Sequence, residues 1–405
     1  LNAYTVVYAT MLIPAGGLAD AHGRKRVFLA GVTLFLAASA ACGMADSVAW
    51  LIVARVVQAL GAALLTPASL SIILDAFPKE KRTVAVSLWG AVGGLAAAIG
   101  PSLGSSIVEH LGWPWAFYIN LPLGAVSLWF GASRLREAVV PGKRARIDLV
   151  GMLLLIVAVG ALAMAITQLD SKHWSRLELA ALALTGAIAF GAFIAWARTA
   201  SAPLVDLALF ANRSYSAVNL ATLAFGTAFA MMFFAFFTYM TRIWHFSLPL
   251  AGLAVTPGPL MVVPTAIVAG RIAARTGHRP ILVIGSLVYA ASGLWLLLVP
   301  GTEPAYATQW LPGLFLSGIG VGMVLPSLSG AAVAGLPAAQ YAVGSAVNQA
   351  TRQLGSVLGV AVTVLLVGHA NLTRADFLPV YGMHVALALL TGLLCMAVKT
   401  RPVAK

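Results

Sequence analysis

Apolar runs of about 20 residues follow one another along nearly the whole of this 405-residue chain. They fall near 2–19, 27–45, 49–74, 84–108, 115–135, 148–169, 178–198, 216–240, 249–270, 280–299, 310–334, 343–368 and 383–399. A helix of about 20 residues, rising 1.5 Å per residue, crosses the hydrocarbon layer of a bilayer. The pattern therefore predicts an all-α polytopic membrane protein with about 13 transmembrane helices. Composition agrees: 60% of residues are hydrophobic and 9% charged, against about 25% charged in a soluble domain.

The net charge of +13 raises the question of nucleic acid, and its distribution answers it. With loops assigned alternately to two sides, Lys172, Arg176, Arg242 and Arg374 fall on one side, and Arg55 and Arg352 inside spans. Every other Lys and Arg falls on the opposite side. This is the positive-inside asymmetry, so the basic side is expected to be cytoplasmic, the C-terminus with it. No nucleic-acid partner is expected; the lipid bilayer is. Cys42 and Cys395 lie inside spans without metal-ligand spacing and read as packing residues.

The densest charge sits in a short loop, GGLADAHGRKR (16–26), and a weaker copy, GRIAARTGHRP, occupies 270–280. Gly16 aligns with Gly270, Leu18 with Ile272, Ala19 with Ala273, Gly23 with Gly277 and Lys25 with Arg279. Weak repeats at equivalent places are the mark of transporters built by duplication. In the first copy, Gly16 and Gly23 permit close approach or a turn. Asp20 can cap a helix N-terminus or pair with an arginine. Arg24, Lys25 and Arg26 hold the loop in the cytoplasm, where it can latch one helix against another.

The spacing of the copies leaves two surplus spans after the basic linker RLREAVVPGKRARID (134–148). The expected organisation is a five-helix N-terminal bundle (1–133), a linker and two-helix insert (134–212), and a six-helix C-terminal bundle (213–405). The odd span count and abrupt start suggest a chain that lacks a natural first helix, with a genuine external N-terminus as the alternative.

GGLADAHGRKR resembles the signature loop of the major facilitator superfamily. LIVARVVQALGAA (51–63) resembles the motif of its fourth helix through Arg55, Gln58 and Gly61. GAVGGLAAAIGPSLGSS (90–106) resembles the antiporter motif, with Gly90, Gly94, Gly100, Pro101 and Gly104. Together with the surplus pair of helices, the chain is similar to the fourteen-helix drug–proton antiporters. Ala59, Ser105 and Pro114 depart from the usual residues. The resemblance implies two pseudo-symmetric bundles that export amphipathic or cationic small molecules by alternating access, with no cofactor beyond a proton gradient. It also implies a cytoplasmic-membrane location, with a periplasmic adaptor protein as a further partner. A proton-coupled symporter or metabolite exporter of the same fold is the second reading. A membrane-embedded lipid-modifying enzyme is a third.

Several residues carry this expectation. Arg55 lies about two turns inside its span, where a mid-span arginine costs roughly 2.5–3.5 kcal/mol on insertion scales. It therefore faces a polar partner or snorkels outward; Gln58 shares its face, and the resemblance implies a role for Arg55 in proton coupling. Arg352 is deeper, in a stripe with Ser345, Asn348, Gly355 and Gly359 that either lines a path or packs against a helix. The glycines at 90, 94, 100 and 104 suggest close helix contact, and Pro101 a bend. No carboxylate lies in mid-span. FAMMFFAFFTYM (229–240) reads first as a lipid-facing band and second as an adaptable apolar binding surface. Trp113, Trp115, Trp174, Trp244 and Trp310 read as an interfacial belt. No phosphate-binding loop, nucleophile elbow or histidine cluster is present.

Overall fold

The computed structural model describes residues 2–137, 148–169, 173–337, 340–368 and 371–400. The basic-linker residues Lys143, Arg144 and Arg146, and also Lys172, Arg401 and Lys405, lie outside the described residues. In chain order the helices are α1 (Asn2–His22), α2 (Arg24–Gly43), α3 (Val48–Ala76), α4 (Lys79–Leu111), α5 (Trp115–Tyr118), α6 (Asn120–Arg134) and α7 (Leu149–Thr167). There follow α8 (Arg176–Thr199), α9 (Arg213–Arg242), α10 (Leu248–Val255), α11 (Pro257–Thr276) and α12 (His278–Leu298). The last three are α13 (Leu311–Ala334), α14 (Tyr341–Val367) and α15 (Arg374–Cys395). No strand occurs among the described residues.

Each expected apolar run carries helix. Among the described residues, ten segments are long and apolar enough to cross a membrane. In that count α10 and α11 form one rod, and α13 joins the π-helical turn Tyr306–Trp310 before it. The remaining rods, α1, α4 and the α5–α6 pair, fall outside it.

The chain groups into two compact units, each discontinuous in sequence. One comprises 1–76, 107–209 and 336–353; the other comprises 77–106, 210–335 and 354–405. In the first, α1 packs on α2, α3 and α7, α2 packs on α3, and α7 pairs with α8. In the second, α9 packs on α13 and α15, and α12 lies against α13 and α15.

The sequence repeat has a structural counterpart in each unit. Gly23 has φ 102° and Gly277 φ 81°, backbone that a side chain strains; each is the residue between two helices. Eight residues after each hinge comes a second glycine against the next helix. A Cβ on Gly31 would stand 2.8 Å from Leu65 N, and one on Gly285 2.6 Å from Met323 Cβ. Small residues at these places let α2 reach α3 and α12 reach α13 closely. The apolar cluster beneath each hinge repeats too: Ala19 and Val27 with Ala68 and Ala342 in one, Ala273 and Ile281 with Ala269 in the other.

Two apolar features differ from the sequence reading. Met231, Met232, Phe236, Tyr239 and Met240 are buried, because this part of α9 is enclosed by its neighbours; within 229–240 Phe234 is exposed and Phe229, Phe233 and Phe237 are half-buried. The stretch is mainly core, not a lipid-facing band. Trp113 and Trp115 are exposed and Trp174 half-buried, but Trp244 and Trp310 are buried. These two rings stack around Tyr239, at 5.9 and 5.2 Å between centroids. Trp244 Nε1 donates to the Gly301 carbonyl at 2.9 Å. Both cysteines are free and buried.

Candidate functional site

The charged loop assembles at the end of α1. Residues 2–19 form its apolar run, and Asp20 stands beyond it. The break at Gly23 sets Asp20 against Arg24, with Oδ1 receiving Nη2 at 3.1 Å and Nε at 3.4 Å. Arg24 is buried and also bonds Asp75, near the end of α3. The other Asp20 oxygen accepts the Val343 amide at 3.2 Å, in the first turn of α14. There a carboxylate meets unsatisfied N–H groups and the positive end of the helix dipole. Asp20 thus caps a helix and pairs with an arginine at once.

Close approach makes this possible. A Cβ on Gly16 would lie 2.6 Å from Ala346 Cβ and 2.8 Å from Ala342 O. Tyr341 sets its ring 6.0 Å from the Arg24 guanidinium. Burial prevails at Asp20 over the attraction and hydrogen bonds of Arg24 and pushes its carboxyl up to about 6.

Lys25 and Arg26 turn the other way. Their backbone amides donate to the two oxygens of Glu137 at 3.1 and 3.2 Å, while Lys25 Nζ bonds the Ala132 and Leu135 carbonyls, both at 2.8 Å. The start of α2 and the end of α6 therefore cap each other, cation on carbonyls and carboxylate on amides. The Arg26–Glu137 pair, 3.7 Å apart with Arg26 exposed, adds little. At the second hinge His278 N donates to Thr400 Oγ1 at 2.8 Å. Asp75, Glu137 and Thr400 were not singled out from sequence. Each lies at or just beyond a helix end, and only folding reveals its partner.

Arg55 is half-buried and turned inward. Its Nη1 donates to Gln58 Oε1 at 2.5 Å, and Gln58 Nε2 donates to Ser39 Oγ of α2 at 2.7 Å. Asn120, opening α6, reaches the same oxygen at 3.4 Å. The guanidinium faces the ring of Tyr4 at 4.1 Å and lies 5.7 Å from that of Phe117. Such faces hold a partly desolvated cation.

The α14 stripe divides. Ser345, Asn348 and Gln349 are buried in the first unit and Arg352 is half-buried there. On α1 the Tyr8 hydroxyl donates to Thr66 at 3.1 Å, and Tyr8 stacks on Tyr4, with centroids 6.0 Å apart, so an aromatic face of α1 extends from Arg55 toward Thr66. Gly355 and Gly359 instead press on the backbone of α9, a Cβ on either falling within 2.5 Å of the Leu223 or Thr227 carbonyl.

In α4, Gly90 abuts Pro326 of α13: a Cβ on Gly90 would lie 2.7 Å from the proline ring, so the contact requires glycine. A Cβ on Gly100 or Gly104 would meet nothing within 4 Å among the described residues. Gly94 and Pro101 lie within α4, and their side-chain surroundings are outside the described residues. No cluster of metal-binding side chains occurs among the described residues.

The sequence model of the Major Facilitator Superfamily matches residues 1–360 and 218–405. The chain is 33% identical over 362 residues to "Multidrug resistance protein Stp" of Mycobacterium tuberculosis (strain CDC 1551 / Oshkosh), covering 89% of this chain and 66% of that protein. It therefore spans just under two thirds of that relative's length. It is 32% identical to "Tetracenomycin C resistance and export protein" of Streptomyces glaucescens, covering 90% of this chain and 68% of that one. Identity to "Multidrug export protein EmrB" of Escherichia coli (strain K12) is 29%, covering 93% and 74%. Among solved structures, the human organic anion transporter MFSD10 (TETRAN) superposes with a TM-score of 0.68 at 18% identity, covering 96% of this chain and 82% of that one, which speaks to the fold.

Proposed function

The chain belongs to the major facilitator superfamily, a family of membrane transporters, and from that premise we propose that it exports amphipathic small molecules by proton-coupled antiport. It is embedded in a membrane; we read that membrane as the cytoplasmic one, with the charged loops and the C-terminus inside. The relatives named above include a tetracenomycin C export protein, a multidrug export protein and a multidrug resistance protein, which supports drug-like cargo here. A periplasmic adaptor protein belongs to the same proposal and is tested by co-purification after cross-linking.

The observation that carries the reading is the Asp20 cluster. One carboxylate joins α1, the start of α2 and the first turn of α14, and Arg24 extends the set to α3. A contact of that kind is suited to holding one state of an alternating-access cycle, because it is made of few groups and is lost together. Arg55 supplies the coupling element. Held by Gln58 and two aromatic rings, it is positioned to bias the protonation of an acid that approaches it.

Efflux of a fluorescent substrate from energised cells tests the proposal. Efflux should stop when an uncoupler collapses the proton gradient, and Arg55→Ala should abolish coupled efflux while the protein still accumulates in the membrane. Uncoupler-insensitive efflux, or full coupling in the Arg55→Ala variant, would overturn it.

A further inference from the structure

Gln349 is 1% exposed, and neither its Oε1 nor its Nε2 has a hydrogen-bond partner among the described residues. Ser345, one turn earlier, is 2% exposed and its Oγ is likewise unpartnered. Buried amides and hydroxyls are nearly always bonded, so two such groups on adjacent turns call for an explanation outside the chain's own contacts. Positions 345, 349 and 352 share one helical face, which adds the guanidinium of the half-buried Arg352.

That face is directed toward α1. Asp20 meets Val343 and Gly16 meets Ala342 and Ala346, so the two helices run antiparallel and Tyr8, two turns before Gly16, comes level with Arg352, less than two turns past Ala346. On that stretch of α1 Tyr4 and Tyr8 stack and the Tyr8 hydroxyl bonds Thr66.

Charge decides what such a face recognises. Arginine stays protonated and presents a planar fork suited to carboxylate. The Gln349 NH2 and the Ser345 hydroxyl are further donors. No Asp or Glu occurs in α1 before Asp20 or anywhere in α14, so the helices that form this face carry no acid to attract a cation. We propose that Ser345, Gln349 and Arg352, with Tyr4 and Tyr8, form a recognition site for the carboxylate of a small aromatic acid. The donors hold the oxyanion and the tyrosine rings hold the aromatic body. This names the substrate class of the proposed exporter and so rests on that reading. It sets organic acids ahead of the cationic compounds that the resemblance brings to mind.

Binding to the purified full chain in nanodiscs of zwitterionic lipid provides the test, with 1-naphthoate and 1-naphthylmethylammonium as the probes. The naphthoate should bind, the ammonium should not displace it, and Gln349→Leu should weaken binding by about tenfold or more, as loss of a bond to a charged group predicts. Because an apolar residue there can impair folding, Gln349→Glu is the second variant. It keeps the shape, sets a carboxylate beside Arg352, and should abolish naphthoate binding while the melting profile stays cooperative. No binding by the unmodified chain, unchanged affinity in either variant, or preference for the ammonium overturns the proposal. So does loss of naphthoate binding when anionic phosphatidylglycerol is added, which would assign the face to a lipid headgroup. Efflux separates the two readings: uncoupler-sensitive export of a cationic dye without naphthoate binding sinks the acid site alone, and naphthoate binding without coupled export sinks the exporter alone.

Discussion

Burial, set against the attraction of Arg24, governs the behaviour of Asp20. The Asp20 carboxyl is pushed up to about 6 by burial, above the ordinary value near 3.9. In the folded protein it therefore takes up a proton that the unfolded chain does not, over the interval from about pH 4 to 6. Its ionised form weighs against the fold above that interval, so this group's contribution to stability rises as pH falls from about 6 to about 4. The size is at most about 3 kcal/mol, since each tenfold change in proton affinity is worth roughly 1.4 kcal/mol. Thermal melts in detergent should show the midpoint climbing as the pH is lowered over that range, and Asp20→Asn should remove this part of the pH dependence. A midpoint that climbs as steeply in the variant as in the parent contradicts the assignment. At Arg55 the bonds run through Gln58 to Ser39. Ser39→Ala should leave a buried amide half-satisfied and lower stability by about 1–3 kcal/mol, measured by thermal unfolding.

Helix contacts discriminate between glycines that look alike in the sequence. Gly61 sits against the backbone of Phe35, where a Cβ would approach its nitrogen to 2.5 Å; backbone cannot swing aside. Gly61→Ala should cost about 1–3 kcal/mol through overpacking. Gly100→Ala meets no neighbour within 4 Å among the described residues and should be neutral or stabilising, by up to about 1 kcal/mol of helix propensity. Paired melting curves of the two variants decide it. The two-helix insert is pinned by one carboxylate. Asp148 caps α7 through Gly151 N at 2.8 Å, accepts Trp196 Nε1 of α8 at 2.9 Å, and accepts Leu204 N at 3.0 Å. Asp148→Ala removes all three, so amide exchange should quicken at the start of α7 and around residue 204 while α2 and α3 stay protected.

Across the whole chain, the uneven spread of lysine and arginine predicts an orientation with the basic loops in the cytoplasm. Single cysteines introduced in a background without Cys42 and Cys395 test it. A cysteine at Arg26 should react with an impermeant maleimide only from the cytoplasmic side, and one at Ser175, which opens α8, only from outside. Reversed labelling would invert the topology. Both hinge glycines belong to this scale as well, since they mark equivalent turns in two units that share little sequence. The repeat was visible as five aligned pairs. Its physical basis is visible only as positive φ at Gly23 and Gly277 and as the side chain that takes up the first amides of the helix after each.

Period, length and local chemistry made the helices legible. A run of apolar residues as long as the bilayer is thick has few ways to satisfy its backbone, so helix content and membrane residence follow from composition and spacing. The hinge loop was legible for a similar reason: glycine and clustered charge interrupt oil, and little else tolerates that place. The candidate site was legible only in part. Arg55, Gln58, Asp20 and Arg24 stood out because charge inside or beside a span is costly. Asp75, Glu137 and Gln349 did not stand out, because an acid near a helix end and an amide on a polar stripe are ordinary in sequence. Burial of the Met- and Phe-rich part of α9, and of Trp244 and Trp310, was hidden for the same reason. Every face of a membrane helix is apolar, whether it meets lipid or protein. The sequence by itself determined that apolar helices form, where along the chain they run and what they are made of. Which faces meet, and so which polar groups find partners, was decided by tertiary packing, since those partners lie up to 323 positions apart in the chain.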